Sequence, residues 1–212
     1  MIITIFGATG QVGKRTVQQA LAKGFTVKAF GRNVENWIDK DLHTDNFQAI
    51  KGHVFDEDDV LNAIKGSDAV LSALGGAFEG ADKTRSLGIK NIVAQMQKTN
   101  VKRIIAVGGM GILNADEHTL IIDTPEYPQA FFPVGKEHQQ AYEYLKTSSL
   151  NWTFVCPPDI LNEDASGHYV TNADYPPTPN LYKIAAGDIA DFMLNELVQN
   201  KFIKHRVGIS KA

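Results

Sequence analysis

The sequence has little of what marks several large protein classes. Its 212 residues include one cysteine, Cys156, so no disulfide can form within the chain, and a reducing compartment is expected. Basic and acidic residues nearly balance at 21 and 24, without the basic cluster on which nucleic-acid binding depends. No apolar run approaches the roughly 20 residues that span a bilayer. We expect a cytoplasmic monomer or homodimer whose partner is a small molecule, with no nucleic-acid or membrane contact.

A glycine-rich turn follows the first apolar run of the chain. Residues 2–13 read IITIFGATGQVG, in which β-branched residues indicate a buried strand and a helical pattern follows the glycines. A strand, a glycine turn and a helix N-terminus in this order bind the pyrophosphate of a dinucleotide. Gly7 would permit the turn, Gly10 would let phosphates approach the backbone, and Gly13 would let the helix pack close to the strand. The spacing G-x-x-G-x-x-G departs from the G-x-G-x-x-G of the standard fingerprint.

The residues after the second predicted strand indicate which dinucleotide is bound. Residues 25–30 complete a βαβ unit and lead into the segment GRN, which lacks the carboxylate that NAD-binding proteins use for the ribose 2′-hydroxyl. The guanidinium of Arg32 can pair with a 2′-phosphate, which favours NADP. Glu35 lies a few residues too late to take the carboxylate's place. The alternative interpretation of Arg32 is a solvated loop arginine.

Strand and helix patterns alternate along the rest of the chain. Further strands are predicted at residues 47–54, 69–73, 101–107 and 151–156, with an edge strand at 206–209. Helices are predicted at 58–65, 84–100, 130–149 and 188–198, the last with Asp188 as its N-cap. Pro, Asn and Asp are frequent between residues 157 and 182, which predicts a small irregular lobe on the substrate side. We expect a single α/β domain over residues 1–212.

Three further groups of residues have both a structural and a functional interpretation. Asp56, after the third predicted strand, can accept from an adenine amino group or cap the following helix. Gly75 and Gly76, at the end of a central strand, either contact a ligand or only turn the chain. The acidic and histidine side chains at 116–118 lack a second cluster that would complete a ligand set, so we expect no metal site.

Several segments together resemble the short-chain dehydrogenase/reductase superfamily. They are GATGQVG near the N-terminus, GRN after the second strand, DAVLSALGG at the fourth strand, and the lysine-bearing helix before NWTFVCPPDI. More narrowly, the chain is similar to the atypical branch that contains NmrA-like proteins and the biliverdin reductase B/flavin reductase group. This resemblance implies a Rossmann-like, doubly wound parallel sheet in the order 3-2-1-4-5-6-7, with helices on both faces.

The resemblance also implies which residues contact NADP. The pyrophosphate would lie on Gly7, Thr9, Gly10, Gln11 and Val12, and the 2′-phosphate on Arg32. The adenine would border Val54 and Asp56. The nicotinamide ribose would lie beside Ala73, Leu74 and Gly75, and the carboxamide beside Pro157, Pro158 and Ile160.

The catalytic residues of the superfamily are only partly present. The superfamily uses Ser or Thr after the fifth strand and a Tyr-x-x-x-Lys motif on the next helix. Here Gly108 and Gly109 stand where the serine is expected, and Phe132 replaces the tyrosine. Lys136 matches the lysine and would bond the nicotinamide ribose, although it could also be an exposed helix lysine. Tyr127, in the preceding loop, could carry a hydroxyl into the site instead.

These replacements favour a reaction that needs no strong acid. Reduction of a carbonyl places charge on oxygen and needs a proton donor, whereas a flavin, a quinone or a linear tetrapyrrole spreads the charge over a conjugated system. Phe78, Phe131 and Phe132 could line a stacking pocket or belong to the core. The leading hypothesis is an NADP(H)-dependent reductase of such acceptors. The alternatives are a non-catalytic NADP redox sensor of the NmrA-like type and, less favoured, an epimerase or dehydratase.

Overall fold

The computed structural model describes residues 1–37 and 45–212. Its strands are β1 (Ile2–Phe6), β2 (Thr26–Gly31), β3 (Phe47–Lys51), β4 (Ala69–Ser72), β5 (Arg103–Val107), β6 (Asn151–Cys156), β7 (Asp159–Leu161), β8 (Tyr169–Ala173), β9 (Lys183–Ala185) and β10 (His205–Lys211). Its α-helices are α1 (Gln11–Ala22), α2 (Glu57–Ile64), α3 (Thr84–Gln97), α4 (Phe132–Lys146) and α5 (Ala186–Gln199). Within the described ranges, no helix has the length and apolar character of a membrane span.

Eight strands form one sheet in the order β3-β2-β1-β4-β5-β6-β10-β8. The first seven are parallel, with β10 in the seventh place, so the predicted order 3-2-1-4-5-6-7 is confirmed. β8 lies outside β10 and runs antiparallel to it, with Ala173 opposite Val207. The strand predicted at residues 206–209 is confirmed as part of β10, but its predicted edge position is wrong, because β8 from the 157–182 region covers it.

Helices cover both faces of the sheet. On one face α1 and α5 pack over a core that includes Ile3 and Ile5. On the other face α2, α3 and α4 pack over a core that includes Phe6 and Ile104. Because successive side chains of a strand point to opposite faces, a strand covered on both sides must be apolar at nearly every position. The run IITIF in β1 meets this requirement.

The segment 157–182, predicted to be irregular, contains regular structure. β7 pairs with β9 in a separate two-stranded parallel sheet, and β8 joins the main sheet. Asp188 is not the N-cap of α5, because the helix begins at Ala186. Its buried carboxylate instead accepts backbone N–H bonds from Ser166 and Gly167, at 2.7 and 2.9 Å, and so ties this segment to α5.

Several element boundaries differ from the sequence prediction by one to three residues, and that of β3 has an identifiable reason. β3 ends at Lys51 rather than at residue 54, because the Asp59 carboxylate accepts the backbone N–H of His53 at 2.8 Å and draws the chain into a turn. α3 ends at Gln97 rather than at residue 100.

Candidate functional site

The predicted site residues follow the carboxyl ends of neighbouring parallel strands, which share one edge of the sheet. Gly7 follows β1, Arg32 follows β2, Gly75 follows β4 and Pro157 follows β6. The strand order reverses between β1 and β4, and open α/β sheets bind ligands at such a reversal. The topology therefore assembles these residues at a position suited to a ligand.

The turn between β1 and α1 has the geometry predicted for its glycines. Gly7 has a φ of +74°, and a Cβ there would lie 2.4 Å from the carbonyl oxygen of Ala73. A Cβ at Gly13 would lie 2.1 Å from the carbonyl oxygen of Gly7, so packing requires glycine at both positions. A Cβ at Gly10 would touch only the oxygen of Gly7, at 3.4 Å. The packing of the described residues gives no reason for glycine at position 10.

The N-terminus of α1 can receive an anion. Gly10 offers no side-chain cap, and the first turn, which begins at Gln11, contains no acidic residue. Backbone N–H groups at a helix N-terminus lack intrahelical acceptors and attract phosphate, aided by the helix dipole. Thr9 is half-buried, whereas Val12 is buried against the sheet. The turn thus fits a pyrophosphate, because it supplies backbone donors and no competing carboxylate.

Arg32 lies in an exposed turn close to the glycine turn. A Cβ at Gly31 would lie 3.5 Å from the side chain of Thr9, which shows how near the two loops are. Across residues 1–37 and 45–212, Arg32 has no hydrogen bond or ion pair. Glu35 is paired with Lys51 at 3.4 Å. A guanidinium without a counter-ion at this position can receive a 2′-phosphate.

Asp56 caps α2, as one of its two interpretations predicts. Its carboxylate accepts the backbone N–H of Asp59 at 2.9 Å. The side chain of Asn91 donates to the carbonyl oxygens of Val54 and Asp56, at 2.9 and 3.1 Å, and holds this turn against α3. Asp56 is also exposed, so its contact with adenine stays a prediction.

The chain after β4 leaves space at the edge of the sheet where the carboxyl ends of the parallel strands lie. Ala73 is buried and Leu74 is half-buried, whereas Gly75 is exposed. A Cβ at Gly75 would have no heavy atom within 4 Å. Protein packing therefore does not require this glycine, and its place beside a nicotinamide ribose remains a prediction.

A cavity of about 610 Å³ lies beyond the ends of β5 and β6. Its lining includes residues 108–112, residues 157–160, the loop around Tyr127 and one side of α4. Pro157, Pro158 and Ile160, the residues assigned to the carboxamide, are among these. Many of the lining side chains are apolar, including Met110, Ile112, Ile121 and Val134. The cavity has the size and apolar character of a small-molecule site.

Tyr127 lines this cavity with its hydroxyl packed between two glycines. A Cβ at Gly111 or at Gly135 would lie 2.7 Å from the Tyr127 Oη. The hydroxyl lies 3.4 Å from the carbonyl oxygen of Phe131, a weak hydrogen bond. Burial raises the pKa of Tyr127, so the phenol stays protonated at neutral pH and can donate a hydrogen bond.

Lys136 is not among the residues that line the cavity, and its bond to the nicotinamide ribose stays a prediction. Its Nζ is exposed, donates to the Gln139 side chain at 2.8 Å and lies 3.6 Å from the Asp123 carboxylate. The side of α4 that lines the cavity carries Val134, Gly135 and His138. The tyrosine-lysine spacing thus points to the helix that lines the cavity, although Lys136 lies outside the lining.

His138 and Arg85 line the cavity, and the sequence reasoning missed both. The imidazole of His138 lies against Gly109, and its Nδ1 is buried with no hydrogen-bond partner in the described chain. Burial, with the nearby charge of Arg85, lowers the pKa of His138 to about 3, so the ring is neutral at physiological pH. His138 lies four residues after Val134, and this helical spacing was the available signal.

Two of the three candidate aromatic residues line the cavity. Phe78 and Phe131 meet edge to face, with ring centroids 5.4 Å apart, and both are partly exposed. They are therefore available for contact with a planar ligand. Phe132 instead lies beside Lys136, with the Nζ 4.9 Å from the ring centroid. Among residues 1–37 and 45–212, no cluster of His, Cys, Asp and Glu has the arrangement of a metal site.

Comparison with known proteins identifies relatives that match most of the chain. A family model described as NAD(P)H-binding matches residues 7–200. The uncharacterised protein YwnB of Bacillus subtilis (strain 168) is 31% identical over 160 residues, which cover 74% of this chain and 71% of YwnB.

Two solved structures share the fold over their full lengths. A Streptococcus pneumoniae protein, provisionally described as an NADH-flavin reductase, is 29% identical with a TM-score of 0.84, and 100% of each chain is covered. A Bacteroides thetaiotaomicron protein, provisionally described as an epimerase, is 28% identical with a TM-score of 0.85, covering 99% of this chain and 96% of that one.

Proposed function

The chain belongs to the NAD(P)H-binding family, and from this premise we propose that it is an NADP(H)-dependent reductase of conjugated small molecules. When bound, NADPH would supply a hydride to an acceptor such as a flavin, a quinone or a linear tetrapyrrole. The glycine turn would hold the pyrophosphate, and residues 157–160 would border the nicotinamide. We assign the whole chain to one domain and the reaction to the cytoplasm.

One observation carries this proposal: an apolar cavity of about 610 Å³ opens directly beside the predicted nicotinamide contacts. Pro157 and Ile160 belong both to those contacts and to the cavity lining. An acceptor in the cavity would therefore lie next to the redox-active end of the cofactor. Phe78 and Phe131 offer aromatic surface on which a planar acceptor can stack.

The polar groups of the cavity fit an acceptor that needs little acid assistance. Tyr127 has a pKa above its usual value, and His138 is neutral, so neither side chain is a strong acid at pH 7. Each can still donate one hydrogen bond to an acceptor oxygen or nitrogen. A conjugated acceptor spreads the added charge and can take its proton from water. The side chains would then orient the acceptor and exclude solvent from its reacting face.

The preference for NADP over NAD rests on Arg32. Arg32 follows Gly31, which lies against the glycine turn, and has no counter-ion in the described part of the chain, whereas Glu35 is engaged by Lys51. The pneumococcal relative is described with NADH, so both cofactors belong in the test. We expect tighter binding of NADPH.

The test is steady-state oxidation of NADPH and NADH with FMN, a naphthoquinone and a linear tetrapyrrole as acceptors. NADPH deuterated at the nicotinamide C4 should show a primary isotope effect and pass its label out of the cofactor. A Gly10→Val variant, which should bind no cofactor, controls for contaminating reductases. Tight cofactor binding without oxidation across the panel would instead favour the non-catalytic redox sensor. Interconversion of a nucleotide sugar without net NADPH consumption would favour an epimerase.

A further inference from the structure

The cavity contains two polar residues whose combination the hydride transfer does not explain. Arg85, from the first turn of α3, and His138, from α4, line it among apolar side chains. We propose that they form a recognition site for an oxyanion group, such as a carboxylate, on the acceptor. This inference rests on the proposed reductase function and specifies its substrate class as conjugated acceptors that carry an anionic group.

The guanidinium of Arg85 has more hydrogen-bond donors than the described protein groups use. A guanidinium carries five N–H donors. Arg85 uses its two terminal nitrogens to bond the carbonyl oxygens of Ala77 and Gly76, at 2.9 and 3.0 Å. Three donors remain for a ligand. The same two bonds hold the guanidinium in place before any ligand arrives, which lowers the ordering cost of binding.

Within the described ranges, no carboxylate neutralises Arg85 at ion-pair distance. Asp82 accepts two backbone N–H groups of its own loop. Glu137 accepts the Ser86 hydroxyl at 2.6 Å and pairs with Lys83 at 3.0 Å. Both acids are close enough to favour the charged guanidinium, yet burial still lowers the pKa of Arg85. A half-buried cation that has no carboxylate in direct contact attracts an anion more strongly than an exposed cation does.

His138 supplies a second polar group on α4. Its Nδ1 is buried without a partner in the described residues, so the other ring nitrogen, Nε2, is the one that a ligand in the cavity can reach. Gly109 allows the ring to pack directly on the loop after β5. A neutral imidazole can donate one N–H bond to an oxyanion without adding a second charge.

Two acidic residues also line the cavity, and they restrict where an anion can lie. Glu126 and Asp159 are both exposed, so water screens their charges. Arg85 is half-buried and is screened less. An anionic group would therefore avoid the side of the cavity near Glu126 and Asp159 and settle at Arg85 and His138.

The experiment compares two probes of nearly equal shape, 2-naphthoate and 2-naphthamide, by calorimetric titration of the full chain with and without saturating NADP⁺. We expect the wild type to bind the carboxylate at least about tenfold more tightly than the amide, as expected for a charge-assisted hydrogen bond. Arg85→Gln should abolish this preference, and His138→Phe should reduce it. Lys90→Gln removes an exposed cation from the same helix and should leave the preference intact.

Several outcomes would overturn the proposal. One is equal binding of the two probes by the wild type, and another is a preference that survives in Arg85→Gln. A loss of NADP⁺ affinity in Arg85→Gln, with the probe preference retained, would assign Arg85 to the cofactor. If Arg85→Gln does not fold, Arg85→Lys tests the same point, because it keeps the charge and should retain part of the preference. Probe binding needs no hydride transfer, so a protein without reductase activity could still show the preference.

Discussion

The imidazole of His138 packs against the backbone of Gly109, where a Cβ would lie 2.8 Å from its Cδ2 and 3.2 Å from its Nε2. This contact joins α4 to the loop after β5. It places a neutral ring in the lining of the cavity. A side chain at position 109 would displace this ring, so the glycine and the histidine depend on each other.

Substitution of the glycines in the β1–α1 turn should separate binding from folding. Gly10→Ala should change the free energy of unfolding by no more than about 1 kcal/mol, because its Cβ meets one atom at 3.4 Å. Its affinity for NADPH should nevertheless fall at least about tenfold, because the methyl group would meet the phosphates. Gly13→Ala should destabilise the protein by about 1–3 kcal/mol, since its Cβ would overlap the oxygen of Gly7. Urea unfolding and NADPH titration measure the two effects, and normal NADPH binding by Gly10→Ala would contradict the pyrophosphate assignment.

Arg32→Ala should weaken the binding of NADPH by about 1.5–3 kcal/mol more than that of NADH, because only NADPH has a 2′-phosphate that the guanidinium can bind. Fluorescence titration with both cofactors gives the difference directly. Lys51→Ala is the matched control, since Lys51 is an exposed cation at the end of the neighbouring strand and is already paired with Glu35. Equal losses for the two cofactors would remove Arg32 from the 2′-phosphate site.

Lys136→Gln should leave turnover within about twofold of the wild type, because the Lys136 side chain points away from the cavity. Its exposed pair with Asp123 should contribute no more than about 1 kcal/mol to stability. Steady-state kinetics and thermal unfolding test the two statements. A large rise in KM for NADPH would show that Lys136 reaches the nicotinamide ribose after all.

Tyr127→Phe should lower kcat with a quinone by no more than about tenfold, because a charge-spreading acceptor can take its proton from water. General acid catalysis contributes about 10²–10⁴, so a fall of that size would identify Tyr127 as the proton donor. Because its pKa is raised, Tyr127 should keep its proton near pH 10. The rate should therefore not fall at that pH through deprotonation of Tyr127. The comparison of pH–rate profiles for the two proteins checks this directly.

The stability of the protein should fall in mild acid through His138. Its pKa is about 3 in the folded state, against an ordinary value of 6.5. Between these two pH values His138 is therefore protonated in the unfolded chain but not in the folded one. Between pH 6.5 and 3 this group should lower the free energy of unfolding by up to about 1.4 kcal/mol per pH unit as the pH falls. His138→Asn should flatten that part of the curve. Urea unfolding at several pH values gives the free energy of unfolding as a function of pH for both proteins. Parallel curves would show that His138 has the same pKa in the folded and unfolded chains.

Local signals in the sequence were sufficient for the alternation of strands and helices and for the glycine turn, whereas the strand order followed from the resemblance to the short-chain dehydrogenase/reductase superfamily. The turn at Gly7 requires a positive φ, and the apolar run of β1 requires cover on both faces, so residues 2–13 specified a buried strand and a glycine turn. The helix-cap interpretation of Asp56, one of the two that the sequence left open, is also confirmed, because capping depends on a backbone N–H three residues away. Such features depend on neighbours in the chain and are readable without the fold.

The sequence by itself determined the βαβ frame, the NAD(P)H-binding turn and the exposed position of Arg32, because each follows from local conformation or from the parallel topology. Only the tertiary structure decided which side of α4 lines the cavity. Lys136 and His138 are two residues apart and therefore point in different directions on a helix. The choice between them depends on how α4 packs against α3 and the loop after β5, and these contacts join residues far apart in the sequence. Arg85 enters the cavity for the same reason, because its bonds to Gly76 and Ala77 form only when that loop folds back onto α3.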